Sequence, residues 1–501
     1  MKPVPVLTPD EMRAVEARAA PASGPTLMER AGRAAAQSAR RLASDTGGPI
    51  LVVAGPGNNG GDAWVAAENL LEGFHRVLVL EASAAEPKAP EARAARAAFA
   101  ARGGTIVREW PDEPRLALVV DGLLGLGLAR DVDPAFRALI ERINASGAPV
   151  LAIDVPSGLD SRTGSIRGAA VHATRTVTFL AHKVGLHTAD GPDCCGAIEC
   201  DDLGAGAAVA AEAHGRLLTP ELAAPWLAAR RRNVHKGDFG TLAVVGGQRG
   251  MVGAALLAAR AGLLAGAGRV YAGLLGADAP AVDLVHPELM LRSVEEAVAS
   301  ARVVVAGPGA GRSPSATSAS LFERTVLPSL LAGDRALVLD ADALNVLGAN
   351  ESLASLLARR PAATILTPHP AEAGRLLGTD AKGVQGDRLG AALLLARRFH
   401  AHVVLKGAGS LCAFPDGRWS VNTTGNPGLA SPGTGDVLAG IIGALLCQGL
   451  DAEHALQYAV CLHGAAADAC VARGTGPVGL TASEVAVQAR RLLNAWTAGV
   501  V

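Results

Sequence analysis

In the stretch GNPGLASPGTGDVLAG, residues 425–440, one carboxylate, Asp436, stands between a glycine-rich turn and an apolar run. Backbone of this kind entering a helix presents unpaired N–H groups, and the helix dipole adds positive potential at the same point, so anions bind there. Gly433, Thr434 and Gly435 would let phosphate oxygens approach closely. An acid at a helix start is also an ordinary cap, a role worth about 1 kcal/mol. A bound phosphate would repel a capping carboxylate, and a neutral Ser or Asn would cap without that repulsion. A base that takes a hydroxyl proton during phosphoryl transfer has reason to stand here.

Two further segments of the same half carry matching groups. KGAGS (406–410) sets Lys406 at the end of a β-branched run before a glycine turn, suited to a phosphate or to solvent. LTPHPAEAGRLLG (366–378) holds His369 between two prolines, a rigid presentation, with a histidine on a turn surface as the plain alternative. No G-x-x-x-x-G-K-[ST] occurs, which excludes P-loop chemistry.

In the first half, AGPGNNGGD (54–62) follows an apolar run, and Gly55, Gly57 and Gly60 satisfy G-x-G-x-x-G, with Glu81 about twenty residues on. A dinucleotide-binding dehydrogenase is therefore permitted. The turn is richer than that pattern requires, because Asn58, Asn59 and Asp62 add oxygens that suit a hard cation as well as a phosphate. VVDGLLGLGLARD (119–131) and AIDVPSGLDSRTG (152–164) punctuate two more runs with Asp121, Asp154 and Ser157. Each Asp alone reads as a turn former or helix cap. Strand ends of a parallel sheet gather at one edge, so three polar ends together read as a site.

These positions need strands to carry them. Short β-branched runs alternate with Ala/Leu/Arg-rich stretches of helical period, predicting an α/β fold around mostly parallel sheets. One series runs from PILVVAG (49–55) to RTVTFL (175–180), and a second from GTLAVVGG (240–247) to HVVLKGAGS (402–410). The stretch from about 204 to 224 is small and turn-rich and reads as a linker plus the entry to a second domain. The expected domains are 1–213 and 218–501, with a different site in each.

With 501 residues, two or three cores are possible. A net charge of -1 removes the electrostatic basis for nucleic-acid or membrane partners, and 3% aromatics leave few stacking platforms beside 60 glycines. Small nucleotides held by loops are the expected ligands. Charged and turn residues interrupt each apolar run, and the N-terminus lacks the apolar core of a signal peptide, so a cytoplasmic protein without a membrane partner is expected. Of the seven cysteines, Cys194, Cys195 and Cys200 cluster without completing a zinc pattern.

GPGNNGGD, DGLLGLGL, IDVPSGLDSRTG and TVTFLAHKVGL, in that order, resemble the epimerase domain of the bifunctional NAD(P)H-hydrate repair family over roughly 10–205. VVGGQRGMVGAALLAARAGLLAGAGRV, AGPGAGR, LDADALNVL, LTPHPAEAGRLLG, VVLKGAGS and NPGLASPGTGDVLAG resemble its dehydratase domain over roughly 225–495. The resemblance implies a Rossmann-like three-layer domain followed by a ribokinase-like α/β domain. It implies that Asn58, Asn59, Gly60, Gly61 and Asp62, with Gly125, Leu126, Gly127, Leu128, Ala129, Arg130 and Asp131, hold the hydrated dinucleotide. Asn59, Asp121 and Ser157 would ligate K⁺, Asp154 would contact the reacting carbon, and Lys183 is a further candidate for proton handling. Ala254, Gly309, His369 and Asp436 would contact the hydrated nicotinamide; Lys406, Gly407, Ala408, Gly409, Ser410 and Gly435 would hold the adenine nucleotide.

The implied chemistry accounts for this equipment. Hydroxide is a poor leaving group; once phosphorylated it departs as phosphate, expelled by the ring nitrogen, with Asp436 as base, Mg²⁺ assisting and ADP as phosphoryl donor. The first domain would interconvert the two epimers of NADHX and NADPHX, in a homo-oligomer. Three departures from the family pattern stand out: Ala63 for a glycine, Leu126 for a threonine and Gln248 for a serine. Two other readings remain open on the residues alone: a small-molecule (vitamin) kinase fused to a nucleotide-binding module, and an N-terminal half that senses nucleotide without turnover.

Overall fold

The computed structural model describes all residues except 1–2, 20–23, 45–46, 84–85, 88, 129, 278 and 312–319. The chain divides into two compact units, one over Pro5–Gly215 and the other over Arg216–Val501 together with Pro3 and Val4.

The first unit is built on a sheet of seven strands. From one edge these are Thr105–Val107, Val77–Glu81, Ile50–Ala54, Leu118–Gly122, Val150–Ile153, Arg175–Phe179 and Ala197–Asp201, every neighbouring pair parallel. The middle strands are buried along their whole length, as strands covered on both faces must be, which is why they read as continuous apolar runs. Helices Leu27–Leu42 and Asn58–Glu72 cover one face; a Cβ on Gly32 would lie 2.3 Å from Val65, so glycine is what lets them approach. Pro5–Leu7 pairs parallel with His182–Lys183 outside this sheet.

In the second unit the sheet order is Met290–Arg292, Arg269–Leu274, Thr241–Gly246, Val303–Ala306, Ala336–Leu339, Thr364–Leu366, His402–Leu405, Leu411–Ala413 and Trp419–Asn422. Pairing is parallel as far as His402–Leu405 and antiparallel beyond it. Helices Val252–Leu264, Thr434–Cys447, Ala452–Ala472 and Ala482–Thr497 bury an Ala- and Leu-rich layer in the main core. Gly440 sits against helix Val252–Leu264, where a Cβ would lie 2.1 Å from the Ala258 carbonyl oxygen. Among the described residues Ala452–Ala472 is long and apolar enough to cross a membrane; it is mostly buried inside its own unit.

Two expectations about local structure change. The segment Asn58–Asp62 is not a loop but the first turns of helix Asn58–Glu72, with Gly61 N–H already bonded to the Gly57 carbonyl. Its carbonyls are therefore spent along the helix, and its side-chain oxygens are what remain for a ligand. The stretch 204–224 is also more ordered than a linker, since it holds helix Gly206–Glu212, strand Gly215–Leu218 and helix Pro220–Ala223.

Candidate active sites

In the first unit the carboxyl ends of adjacent parallel strands deliver Asp121 and Asp154 to one edge of the sheet. Asp121 is fully buried: Ser157 Oγ donates to Oδ1 at 2.6 Å and Ser157 N–H to Oδ2 at 2.8 Å. Ser157 Oγ accepts from Leu124 N–H at 2.8 Å, and Asn59 Nδ2 donates to the Leu124 carbonyl at 2.8 Å. Asn59 and Ser157 thus bond the Leu124 backbone, and Ser157 ties Asp121 to the same corner. Burial raises the Asp121 carboxyl above its usual range, opposed by its bonds from Ser157 and Leu123.

Asp154 adopts a left-handed φ of 62°, a strained conformation for a residue with a side chain, and such strain concentrates at functional sites. Its Oδ1 accepts from Thr178 Oγ1 and Phe179 N–H, both at 3.2 Å, and from Lys183 Nζ. Lys183 Nζ also donates to Thr178 Oγ1 and the Phe179 carbonyl, both at 2.8 Å, so three acceptors take its three protons. That geometry fixes the Asp154 side chain and pairs it with the lysine.

A cavity of about 770 Å³ opens at this edge. Asn58, Asn59, Asp62, Gly125, Leu126, Gly127, Leu128, Arg130, Asp131 and Asp154 line it, while Ala129 lies outside the described residues. Gly60 and Gly61 face inward instead: a Cβ would lie 1.8 Å from the Gly55 carbonyl oxygen in one and 2.5 Å from Met28 in the other. The dinucleotide fingerprint is explained by the same close packing, since Gly55 has room for no Cβ beside the Leu123 carbonyl, and Glu81 is spent on an ion pair with Arg96 at 2.7 Å. Ala63 is helical and packs on Gly122, so the missing glycine costs nothing there, whereas Leu126 packs on the apolar core beside the cavity.

In the second unit, four adjacent parallel strands end in Gly307–Gly309, Asp340, Thr367–His369 and Lys406. Lys406 Nζ lies 2.9 Å from Asp340 Oδ1, which also accepts from Thr367 Oγ1 at 2.7 Å, and 4.0 Å from Glu372 Oε2. Helix Thr434–Cys447 arrives at the same corner behind Gly433, whose φ is 87°, and no side chain caps its first amides. A Cβ on Gly435 would stand 3.2 Å from Lys406 Nζ, so the glycine brings the helix start close to that ammonium. Asp436 occupies the first turn; burial, then the charge of Asp340, pushes its carboxyl up to about 7, against the pull of Lys406.

Helix Val252–Leu264 closes the corner. Leu257 faces Gly433, and one turn earlier Ala254 faces Gly309, whose left-handed φ of 57° leaves no room for a side chain against Met251. His369 is half exposed; its N–H donates to Glu372 Oε2 at 2.9 Å and its Nδ1 accepts from Ala371 N–H. The turn Lys406–Ser410 uses Gly407 (φ 139°) and Gly409 (φ 58°), and Ser410 Oγ closes it on the Gly407 carbonyl at 3.1 Å.

Four groups here escaped the sequence reading. Asp340 ends a strand as Asp121 does, and that signal could have found it. Glu372 is buried at the third position of helix Pro370–Leu377, where burial first, with Asp340 beside it, raises its carboxyl to about 7. Arg388 is buried under Gly407, its Nη2 reaching the Leu405 and Lys406 carbonyls at 3.4 and 3.3 Å. His463 is buried with Nε2 unpartnered, and burial lowers its imidazole to about 4. Nothing in the spacing of these last three marks them.

A family model described as NAD(P)H-hydrate dehydratase matches residues 242–488, and one described as YjeF-related protein N-terminus matches 24–185. The chain is 37% identical over 497 residues to the bifunctional NAD(P)H-hydrate repair enzyme Nnr of Escherichia coli (strain K12), covering 97% of this chain and 93% of that one. It is 39% identical over 471 residues to the enzyme of the same name from Gloeobacter violaceus, covering 90% of each. Among solved structures it is similar to the ADP/ATP-dependent NAD(P)H-hydrate dehydratase of Bacillus subtilis co-crystallised with ATP/Mg²⁺, at 31% identity and a TM-score of 0.48, covering 56% of this chain and 98% of that one. With both halves matched in order and the identity sustained over nearly its whole length, the chain belongs to the family of bifunctional NAD(P)H-hydrate repair enzymes.

Proposed function

We propose that residues 1–213 interconvert the R and S epimers of NADHX and NADPHX, and that residues 218–501 dehydrate the S epimer to NADH or NADPH at the expense of ADP, giving AMP and phosphate. The observation that carries the dehydratase reading is Asp436: a half-buried carboxyl raised to about 7, beside uncapped helix amides and the Lys406 ammonium. A base with that affinity for protons is poised near neutral pH.

Asp436 takes the proton of the ring hydroxyl as its oxygen attacks the terminal phosphoryl of ADP. Lys406 and the amides at the start of helix Thr434–Cys447 meet the negative charge that develops on the phosphoryl oxygens. The hydroxyl, now phosphate, is expelled by the ring nitrogen, and loss of a proton from the neighbouring carbon restores the dihydropyridine. Lys406 to Ser410 and Gly435 hold the adenine nucleotide, while Ala254, Gly309 and His369 border the nicotinamide.

The donor set of the first site fits K⁺. Asn59, Ser157 and the surrounding carbonyls are neutral oxygens, and Asp121 supplies a single buried charge, which balances a monovalent ion. These residues would hold it, and it would fix the loop over 123–128 beside the cavity. In the second unit, among the described residues, no three His, Cys, Asp or Glu side chains form a metal cage, so Mg²⁺ fits as an ion carried by the nucleotide phosphates. Seven free thiols suit the reducing cytoplasm, and the same reading includes a homo-oligomer, which light scattering on the purified chain tests.

Feeding the purified protein a mixture of both epimers with ADP, Mg²⁺ and K⁺ is the decisive assay. The expected result is full recovery of reduced-nicotinamide absorbance with one AMP per coenzyme. A stable phosphorylated product would establish a kinase in its place.

A further inference from the structure

Five carboxyls, two guanidiniums and one ammonium line the cavity of the first unit. Asp154 enters from a strand end and is clamped by Lys183. Asp62 enters from helix Asn58–Glu72, and no hydrogen bond or cation is recorded on its carboxyl among the described contacts. Glu16 and Arg13 come from helix Pro9–Ala19, and Arg130, Asp131 and Asp133 from the segment that follows Leu128. Lys183 is spent on Asp154, and half-buried Asp62 has the like charges of Asp154 and Glu16 nearby.

We propose that Asp62 is the proton donor of the epimerisation, working from a different wall of the cavity than the acceptor, Asp154. The assignment rests on the epimerase reading given above. Burial first, and then the charges of Asp154 and Glu16, hold the Asp62 carboxyl well above the usual range against the pull of Lys183. Asp154 is ion-paired and Asp62 is shifted toward its protonated form, so their surroundings divide the two into base and acid.

The step balances. Asp62 gives its proton to the hydroxyl on the ring carbon beside nitrogen; the C–O bond breaks, water leaves, and the nitrogen lone pair forms a C=N bond. Water then adds to the opposite face of that carbon, closing a new C–O bond as the C=N pair returns to nitrogen, and Asp154 takes the proton released. Nothing is oxidised or reduced. The turnover ends with Asp62 ionised and Asp154 protonated, the state that runs the reverse conversion.

The test measures epimer interconversion by chiral separation from acid to alkaline pH, with K⁺ present, for the wild type, Asp62→Asn and Glu16→Gln. The wild type should lose rate as pH rises and Asp62 ionises. Asp62→Asn should lose about 100-fold in kcat with little change in KM, and its residual rate should lack that alkaline limb. Glu16→Gln removes a like charge from Asp62 and should move the limb to lower pH. Dehydration of the S epimer by the same preparations reports whether each variant folded; if Asp62→Asn does not fold, the Glu16→Gln limb decides. An Asp62→Asn enzyme within twofold of wild type, or a limb that Glu16→Gln leaves in place, overturns the assignment while the epimerase reading stands. A wild type that interconverts nothing overturns both.

Discussion

Asp436 shares its corner with Asp340 and Glu372, and Lys406 is the ammonium that answers all three. Burial draws that lysine toward neutrality, but the two carboxylates nearest to it outweigh the effect and raise its pKa. The balance makes the pH profile of dehydration a readout of neighbours. Asp436 must be ionised to act, so the rate should rise through about pH 7. Asp340→Asn, which removes a like charge from Asp436, should move that limb to lower pH, and Lys406→Gln should move it higher. Asp436→Asn should cut kcat by about 10²- to 10⁴-fold, the usual contribution of a general base, in a coenzyme-recovery assay. The stability has the opposite sign. A carboxyl raised in the folded state binds its proton more tightly than in the unfolded chain, so stability falls as pH rises from the ordinary carboxylate range toward about 7. Asp436→Asn should therefore melt above the wild type at pH 8, with the gap closing as the pH is lowered.

At the scale of elements, the site depends on helices that approach without side chains between them. Gly440→Ala would drive a methyl to within 2.1 Å of the Ala258 carbonyl and should cost about 1–3 kcal/mol in urea unfolding, the usual penalty of overpacking. It would also push helix Thr434–Cys447 away from Val252–Leu264, the two elements that bring Asp436 and Ala254 together, so dehydration should fall with stability. Gly433 starts that helix at φ 87°, where an L side chain costs about 1–2 kcal/mol. The glycines of GPGNNGGD divide by the same physics: Gly55 and Gly60 have no room for a Cβ, while Gly57 has open space around it.

The chain carries two compact units, each with its own candidate site. Each site draws all its described groups from its own unit, so damage should separate by activity. Asp154→Asn given both epimers should consume the S form and leave the R form, as read by separating the remaining substrate. Asp436→Asn should go on interconverting the two while regenerating little coenzyme. Asp121→Asn takes the one charge from the proposed K⁺ set and should abolish the K⁺ dependence of interconversion while the S epimer is still dehydrated.

Much of this was written in local residue order. A parallel strand must be apolar throughout and must end in a turn, so Asp121, Asp154, His369 and Lys406 announced themselves as strand ends, and parallel pairing put them at sheet edges. Asp436 was legible because a glycine turn before a helix is itself a local signal. What the sequence left undecided depends on groups far apart along the chain. Lys183 read as a candidate for proton handling, and only the fold gives its Nζ three acceptors in Thr178, Phe179 and Asp154; only the packing shows that Gly60 and Gly61 have no room for a side chain against Gly55 and Met28. Burial and summed charge are properties of a neighbourhood, and only folding assembles the one in which Glu372 and Asp436 both rise to about 7. Residue type fixes what a side chain can do, whereas the tertiary structure fixes its solvent, its partners and so its proton.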